Sequence, residues 1–199
     1  MPATLTFSRI YGPAIRTVLT ELANLRITVF RDFPYLYEGT PDYEKKYLET
    51  YMQSQRSLLF AAYADDRMVG ATTALPLTDE TDEVQAPFRQ AGYALDEVFY
   101  FGESILLPDF RGRGLGHRFF DEREAHARRF GTYRLTCFCA VERPSDHPLR
   151  PAGYQPLDAF WTKRGYQRDP ALRSVFHWPD LDETESTSKP MVYWTRPLC

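Results

Sequence analysis

Tyr100-Phe101-Gly102-Glu103-Ser104-Ile105-Leu106-Leu107-Pro108-Asp109-Phe110-Arg111-Gly112-Arg113-Gly114-Leu115-Gly116-His117 passes from a strand through a glycine loop into a helix. The first half is aromatic and then aliphatic, with one carboxylate among the apolar residues. Pro108 stops the strand because it has no N–H to give to a ladder. Glycines recur at 112, 114 and 116 among arginines, and a helix begins. Leu115, Phe119, Phe120, Ala127 and Phe130 fall on one face of it. Gly131 predicts its end, with Arg128 and Arg129 at the negative pole of the helix dipole. A strand, a glycine loop and a helix N-terminus together form an anion site. The glycines let successive backbone N–H groups point at one place, and the helix start adds free N–H groups and partial positive charge. Arg111, Arg113, His117 and Arg118 bring further charge, so the expected guest is a phosphate or pyrophosphate.

Working outward, residues 97–107 form the strand of this unit. Upstream, 58–64 and 68–75 predict a hairpin around the turn Asp65-Asp66. A helix is expected from Gly12-Pro13 to about residue 30, with Ile15, Val18, Leu19, Leu22, Leu25 and Val29 at helical spacing. A loop dense in aromatics, 32–39, leads to a second helix that starts at Pro41 with Thr40 as its cap. Tyr43, Tyr47, Leu48 and Tyr51 form its inward face. Residues 3–9 alternate weakly as a first strand. The polar segment 76–96, with a short helix at 84–90, reads as a lid or a solvated excursion. Downstream, 133–141 is a strand apolar on both faces and therefore central. A loop over 142–156 carries Pro144, Pro148 and Pro151. A short helix, 157–164, stops at Gly165. Two last strands, 174–178 and 191–195, flank the acidic, hydroxyl-rich segment 179–188. The order is β α α β β β α β α β β, without an internal repeat.

The chain has 199 residues, 43% hydrophobic and 26% charged, as expected of one soluble globular domain over 1–199. A net charge of −3 gives no reason to expect nucleic acid. The arginines between 111 and 134 suit a coenzyme carrying several phosphates. Apolar runs stay far below the ~20 residues of a membrane span, and residues 1–16 lack the apolar core of a signal peptide. Cys137, Cys139 and Cys199 do not form a disulfide framework, and Cys-x-Cys with four histidines is a weak metal signal. Buried thiols, no metal and a cytoplasmic location are the expectation.

The loop is not a Walker loop, since no Gly-Lys-Ser/Thr follows, and its third glycine comes one residue too early for Gly-x-Gly-x-x-Gly. It matches Arg-x-x-Gly-x-Gly at Arg111, Gly114 and Gly116. A glycine turn in an unrelated α/β protein is the alternative. With the preceding Leu106-Leu107-Pro108, the loop resembles the acyl-CoA loop of the GNAT superfamily of N-acetyltransferases. About fifty residues on, Phe160-Trp161-Thr162-Lys163-Arg164-Gly165-Tyr166 is similar to that family's later helix, and the strand order agrees over nearly the whole chain. The resemblance implies an α/β (α+β) domain. Its mixed sheet would have about seven strands, splayed in the middle and flanked by about four helices. It implies acetyl-CoA as co-substrate and transfer of the acyl group to a primary amine of a small molecule or peptide, by direct attack in a ternary complex.

Such a transfer needs the coenzyme held, the amine deprotonated, the carbonyl oxygen stabilised and the thiolate protonated. By the resemblance, Arg111, Gly112, Arg113, Gly114, Leu115 and Gly116 grip the pyrophosphate. Ile105, Leu106 and Leu107 offer N–H groups to pantetheine and the acyl carbonyl. Glu103 is the favoured base, because a carboxylate in an apolar strand is expensive to bury and burial raises its pKa. The alternative is a carboxylate facing solvent or satisfied by an arginine on a neighbouring element. Glu97 and Asp96 are poorer candidates.

The sequence departs from the family at the acid: Trp161 stands where the resemblance predicts a tyrosine. Tyr154 is the preferred substitute, with Tyr166 or water as others. For the acceptor, the resemblance makes walls of residues 33–38 and 177–185. Tyr35, Tyr37 and Trp178 are the expected contacts, with Tyr193 and Trp194 as further candidates. Glu38, Asp180 and Glu183 are expected to attract a cationic amine, and His147 is a candidate second base. A rival from another class is a non-catalytic acyl-CoA-binding sensor or partner domain, which Trp161 favours. A nucleotide-binding domain would prefer ATP or NAD to CoA. Monomer and homodimer stay open.

Overall fold

A computed structural model describes residues 4–198 and contains one seven-stranded sheet. The strands are β1 (Leu5–Tyr11), β2 (Leu58–Ala64), β3 (Arg67–Pro76), β4 (Val98–Leu106), β5 (Leu135–Val141), β6 (Gln167–Trp178) and β7 (Thr187–Pro197). Their order across the sheet is β1-β2-β3-β4-β5-β7-β6. Every neighbouring pair is antiparallel except β4 and β5. The helices are α1 (Leu19–Phe30), α2 (Pro41–Gln53), α3 (Asp82–Gln90), α4 (Leu115–Arg128) and α5 (Asp158–Lys163).

The pleat of β4 sorts the two layers. Phe99 and Phe101 meet α4 and its C-terminal turn through Phe120 and Phe130. On the opposite face, Tyr100 and Gly102 meet the side of α1 and α2. Leu22, Leu25, Leu48 and Tyr51 are buried there against the sheet. Cys137 and Cys139 are free thiols, with Cys137 in this core and Cys139 half-buried beside it. The third cysteine, Cys199, lies outside the described residues, as does Ala3, the first residue expected in the opening strand.

Several elements differ from the expectation for physical reasons. The helix expected from Gly12 begins as a 3-10 segment, Gly12–Val18, and becomes α only at Leu19. Thr40 caps α2 by accepting from the Tyr43 N–H at 3.4 Å, but Tyr43 itself is 47% exposed rather than inward. The excursion at 76–96 is docked rather than loose. Its α3 buries Val84 and Phe88, and contains Pro87, which cannot donate to the carbonyl of Glu83. Ser174 Oγ donates to that carbonyl at 2.7 Å and so ties α3 to β6. β6 is longer than expected because it is an edge strand, where Pro170 is accommodated in a register shift between Asp169 and Arg173.

Candidate active site

The centre of the sheet opens. β4 and β5 pair only at Val98↔Leu135, Phe99↔Thr136 and Tyr100↔Cys137, and beyond that each keeps only its outer partner. Leu107 donates its N–H to Val69 at 2.9 Å, which fixes the alternation along the edge. Ile105 and Leu107 turn their N–H groups toward β3, and Ser104 and Leu106 turn theirs into the gap. Such backbone groups cost free energy unless a partner takes them up. A bulge sits just before this point: Thr72 pairs with Ser104 and Ala74 with Phe101, so Gly102 and Glu103 together face Thr73. Gly102 is needed here because a Cβ would lie 2.0 Å from Tyr51 Oη and 2.5 Å from Thr73 Oγ1.

The bulge sends Glu103 into a buried polar network under α1 and α2. Glu103 is 3% exposed, with Arg26 on one carboxylate oxygen and the Thr73 hydroxyl on the other. Arg26 also holds Glu44. Burial by itself would lower the Arg26 pKa, but Glu103, Tyr47 and Glu44 more than reverse this and raise it. Glu80 lies 3.5 Å from Tyr51 Oη, which is in turn 3.5 Å from Tyr47 Oη. Burial, opposed by the Thr81 N–H and reinforced by the charge of Glu103, pushes Glu80 up to about 7.

Beside Glu103 lies a pocket of about 90 Å³, open on one side. Tyr35, Tyr37, Tyr47, Tyr100 and Trp178 contribute to its walls. The tail strands are sewn to the loop before α2. Arg143 donates to the carbonyls of Pro34 and Tyr35 at 2.7 and 2.8 Å, and Trp178 Nε1 donates to Tyr35 O at 3.0 Å. This brings together the three aromatics expected as acceptor contacts. The expected cation attractors are already paired: Asp180 with Arg143 and Lys189, Glu183 with Lys189, and Glu38 with Arg31. Cys139 also lines the pocket, and burial pushes its thiol up to about 12, so it is a neutral wall.

At the far side of the gap the glycine loop turns into α4. Gly112 and Gly114 hold φ of +73° and +79°, which side chains disfavour. Gly116 instead allows close approach, since a Cβ there would lie 3.3 Å from the Phe160 ring. Leu115 is buried at the first position of α4, whose opening N–H groups have no partner one turn back. Arg111 donates to Leu106 O at 3.2 Å, and Arg113 to Asp109 O at 2.8 Å. Both arginines brace the loop while remaining exposed.

The remaining candidates separate. Tyr154, in the loop between β5 and α5, packs edge-on against Phe33 at 4.7 Å, and His147 meets the same ring at 5.7 Å. Tyr166 is buried on the α4 face, with its hydroxyl 3.0 Å from Thr136 Oγ1 and 3.4 Å from Glu124. Tyr193 bonds Ser174 at 2.9 Å, under α3. Trp161 and Trp194 pack together at 5.2 Å within the aromatic cluster on the α4 face. Reasoning from sequence missed Arg26, Glu44, Thr73 and Glu80. Arg26 had one signal: it is the charged member of an apolar stripe that includes Leu22, Leu25 and Val29.

The sequence model of the Acetyltransferase (GNAT) family matches residues 22–151. No curated protein matches the chain in sequence. Among solved structures, the chain is similar to an N-acetyltransferase from Staphylococcus aureus Mu50, with 10% identity, a TM-score of 0.62 and coverage of 99% of this chain and 100% of that one. It is similar to Arabidopsis thaliana NAA60 in complex with a bisubstrate analogue, at 11% identity and TM-score 0.61, covering 98% of each chain. It is also similar to yncA from Salmonella typhimurium, solved with its cofactor acetyl-CoA, at 7% identity and TM-score 0.58, covering 98% of this chain and 94% of that one. At these identities the likeness is one of fold.

Proposed function

The chain belongs to the GNAT acetyltransferase family, and from that premise we propose that it transfers an acetyl group from acetyl-CoA to a primary amine. The acceptor is an amine on a small molecule or a peptide, and it attacks the thioester directly. The observation that carries this reading is the gap between β4 and β5, which opens directly before the glycine loop. A thioester lying in the gap would meet the N–H groups of Ser104 and Leu106, while its pyrophosphate sits on residues 111–116. Those donors stabilise the carbonyl oxygen as it becomes negative, and holding both reactants in one place supplies much of the acceleration.

The proton from the amine has two carboxylates to reach. Glu103 stands at the pocket wall and acts directly or through a water. Glu80 stands behind Tyr47 and Tyr51, with its titration near neutrality. Tyr154, in the loop between β5 and α5, is the proposed proton donor to the departing thiolate. Without its hydroxyl the thiolate leaves unassisted.

Thermal-shift titration with acetyl-CoA, CoA, ATP and NAD tests the proposal. A ligand that binds only the folded chain raises the melting temperature by mass action. The expected result is a shift with acetyl-CoA and CoA alone, followed by CoA thiol release when amines are added. No shift with either coenzyme overturns the reading. A shift without turnover for any amine favours a non-catalytic acyl-CoA-binding domain, the reading that Trp161 supports. Glu103→Gln and Tyr154→Phe separate the two cases. In an enzyme both slow transfer and leave acetyl-CoA binding in place.

A further inference from the structure

The pocket beside Glu103 is not charge-balanced. Its ionised groups are Glu103 and, behind Arg26, Glu44, against the single guanidinium of Arg26. The neighbouring network of Arg143, Lys189, Asp180 and Glu183 has equal numbers of each sign and adds nothing. Arg26 is committed to both carboxylates: its Nε goes to Glu44 and its Nη1 to Glu103, and its guanidinium carbon lies 5.0 Å from the centre of the Phe30 ring and 4.1 Å from that of Tyr47. One negative charge is therefore left over in an aromatic cavity.

Two buried polar atoms mark where that excess is felt. Tyr37 lines the pocket and is 7% exposed, and its hydroxyl has no hydrogen-bond partner. Glu44 is fully buried, and its Oε1 is likewise without a partner. The two groups stand close enough for Glu44 to act on Tyr37, but without the geometry of a formed hydrogen bond. A hydroxyl oxygen held beside a carboxylate, with its own lone pairs free, suits a donor carrying positive charge. Tyr35 and Trp178, stacked at 6.0 Å, add ring surface that attracts cations.

We infer that this pocket selects a cation, so that the acceptor enters as an alkylammonium whose charged end sits between Tyr37 and Glu103. This rests on the acetyltransfer reading and narrows its substrate to basic aliphatic amines. Neutral arylamines and acceptors with a carboxylate beside the amine are excluded. The cavity has room for the ammonium and its first carbons, and the rest of the molecule extends through the open side.

The test compares butylammonium, butanol and butyrate, three probes with one tail and different heads, at constant ionic strength. Binding is read by thermal shift and tryptophan fluorescence, on the free protein and again with CoA present. Butylammonium is expected to bind at least tenfold more tightly than butanol, and butyrate not at all. Glu103→Gln is expected to weaken butylammonium about tenfold and Tyr37→Phe several-fold, with butanol unchanged. A retained acetyl-CoA shift shows that each variant is folded. If Glu103→Gln does not fold, the isosteric Tyr37→Phe carries the test. Equal binding of butanol and butylammonium, preferential binding of butyrate, or undiminished butylammonium binding in the folded variants overturns the inference. Failure of the acetyltransfer reading is distinguishable, because it appears as no acetyl-CoA shift while head-group selection is still measurable.

Discussion

Gly102 does its work by lacking a side chain. The Tyr51 hydroxyl occupies the space a Cβ would need, and through it Glu80 is joined to Tyr47 and the pocket. Gly102→Ala is expected to push Tyr51 aside and to cost about 1–3 kcal/mol of stability. Denaturant unfolding measures the cost, and because the Tyr51 hydroxyl is the nearest of the atoms a Cβ would displace, Gly102→Ala and Tyr51→Phe should not be additive. The double variant should lose less than the sum of the singles, and strict additivity would place the cost elsewhere. Glu103 was legible from sequence as a carboxylate in an apolar strand. An arginine on a neighbouring element was the alternative reading and is what the fold supplies, but its identity was not legible, because helical periodicity says which face Arg26 occupies and not what lies across from it, 77 residues away in the chain.

The glycine loop and α4 form a unit whose chemistry comes from its backbone. Gly114 and Gly131 bracket the helix at φ +79° and +69°, and a Cβ would touch nothing at either position. Alanine at either is therefore expected to cost about 1–2 kcal/mol through left-handed strain alone. Only Gly114→Ala should also weaken acetyl-CoA, by tenfold or more, because only that end carries the converging N–H groups. A comparison of coenzyme Kd in the two variants checks this, and equal Kd values would take the phosphate off the loop. This element was readable because each feature is local: a proline that stops a strand, glycines at turning points and a helical stripe. β6 was not, since its first half, with Pro170 and its charges, reads as loop unless one knows that it is an edge. The short pairing of β4 with β5 left no mark in the composition of either strand, and only the family resemblance pointed to it.

Over the whole molecule, two groups, His126 buried and Glu80 half-buried, set opposing responses to pH. His126 is 6% exposed, and its Nε2 lies 2.8 Å from the carbonyl of Arg56. A carbonyl only accepts, so Nε2 carries the proton and Nδ1 is a buried acceptor without a partner. Burial, only partly offset by that hydrogen bond, lowers the His126 pKa. The unfolded chain then binds a proton first as pH falls below about 6.5, and stability is lost in that direction. Glu80 works the other way. Its folded pKa, about 7, lies above the ordinary carboxylate value of 4.5, so its contribution is fully present below 4.5 and is lost as pH rises through about 7. Between pH 4.5 and 6.5 the two slopes oppose each other, and above 6.5 that of Glu80 acts alone. Relative to the parent, Glu80→Gln should gain stability steadily from pH 5 to pH 8, reaching on the order of 2 kcal/mol. His126→Gln should fare better relative to the parent as pH drops from 7 to 5. Urea unfolding of the three proteins at pH 5, 6, 7 and 8 reads both slopes, and parallel curves for Glu80→Gln and the parent would mean that Glu80 titrates as a solvated carboxylate. It would then be unable to accept a proton near neutrality, leaving Glu103 as the remaining base.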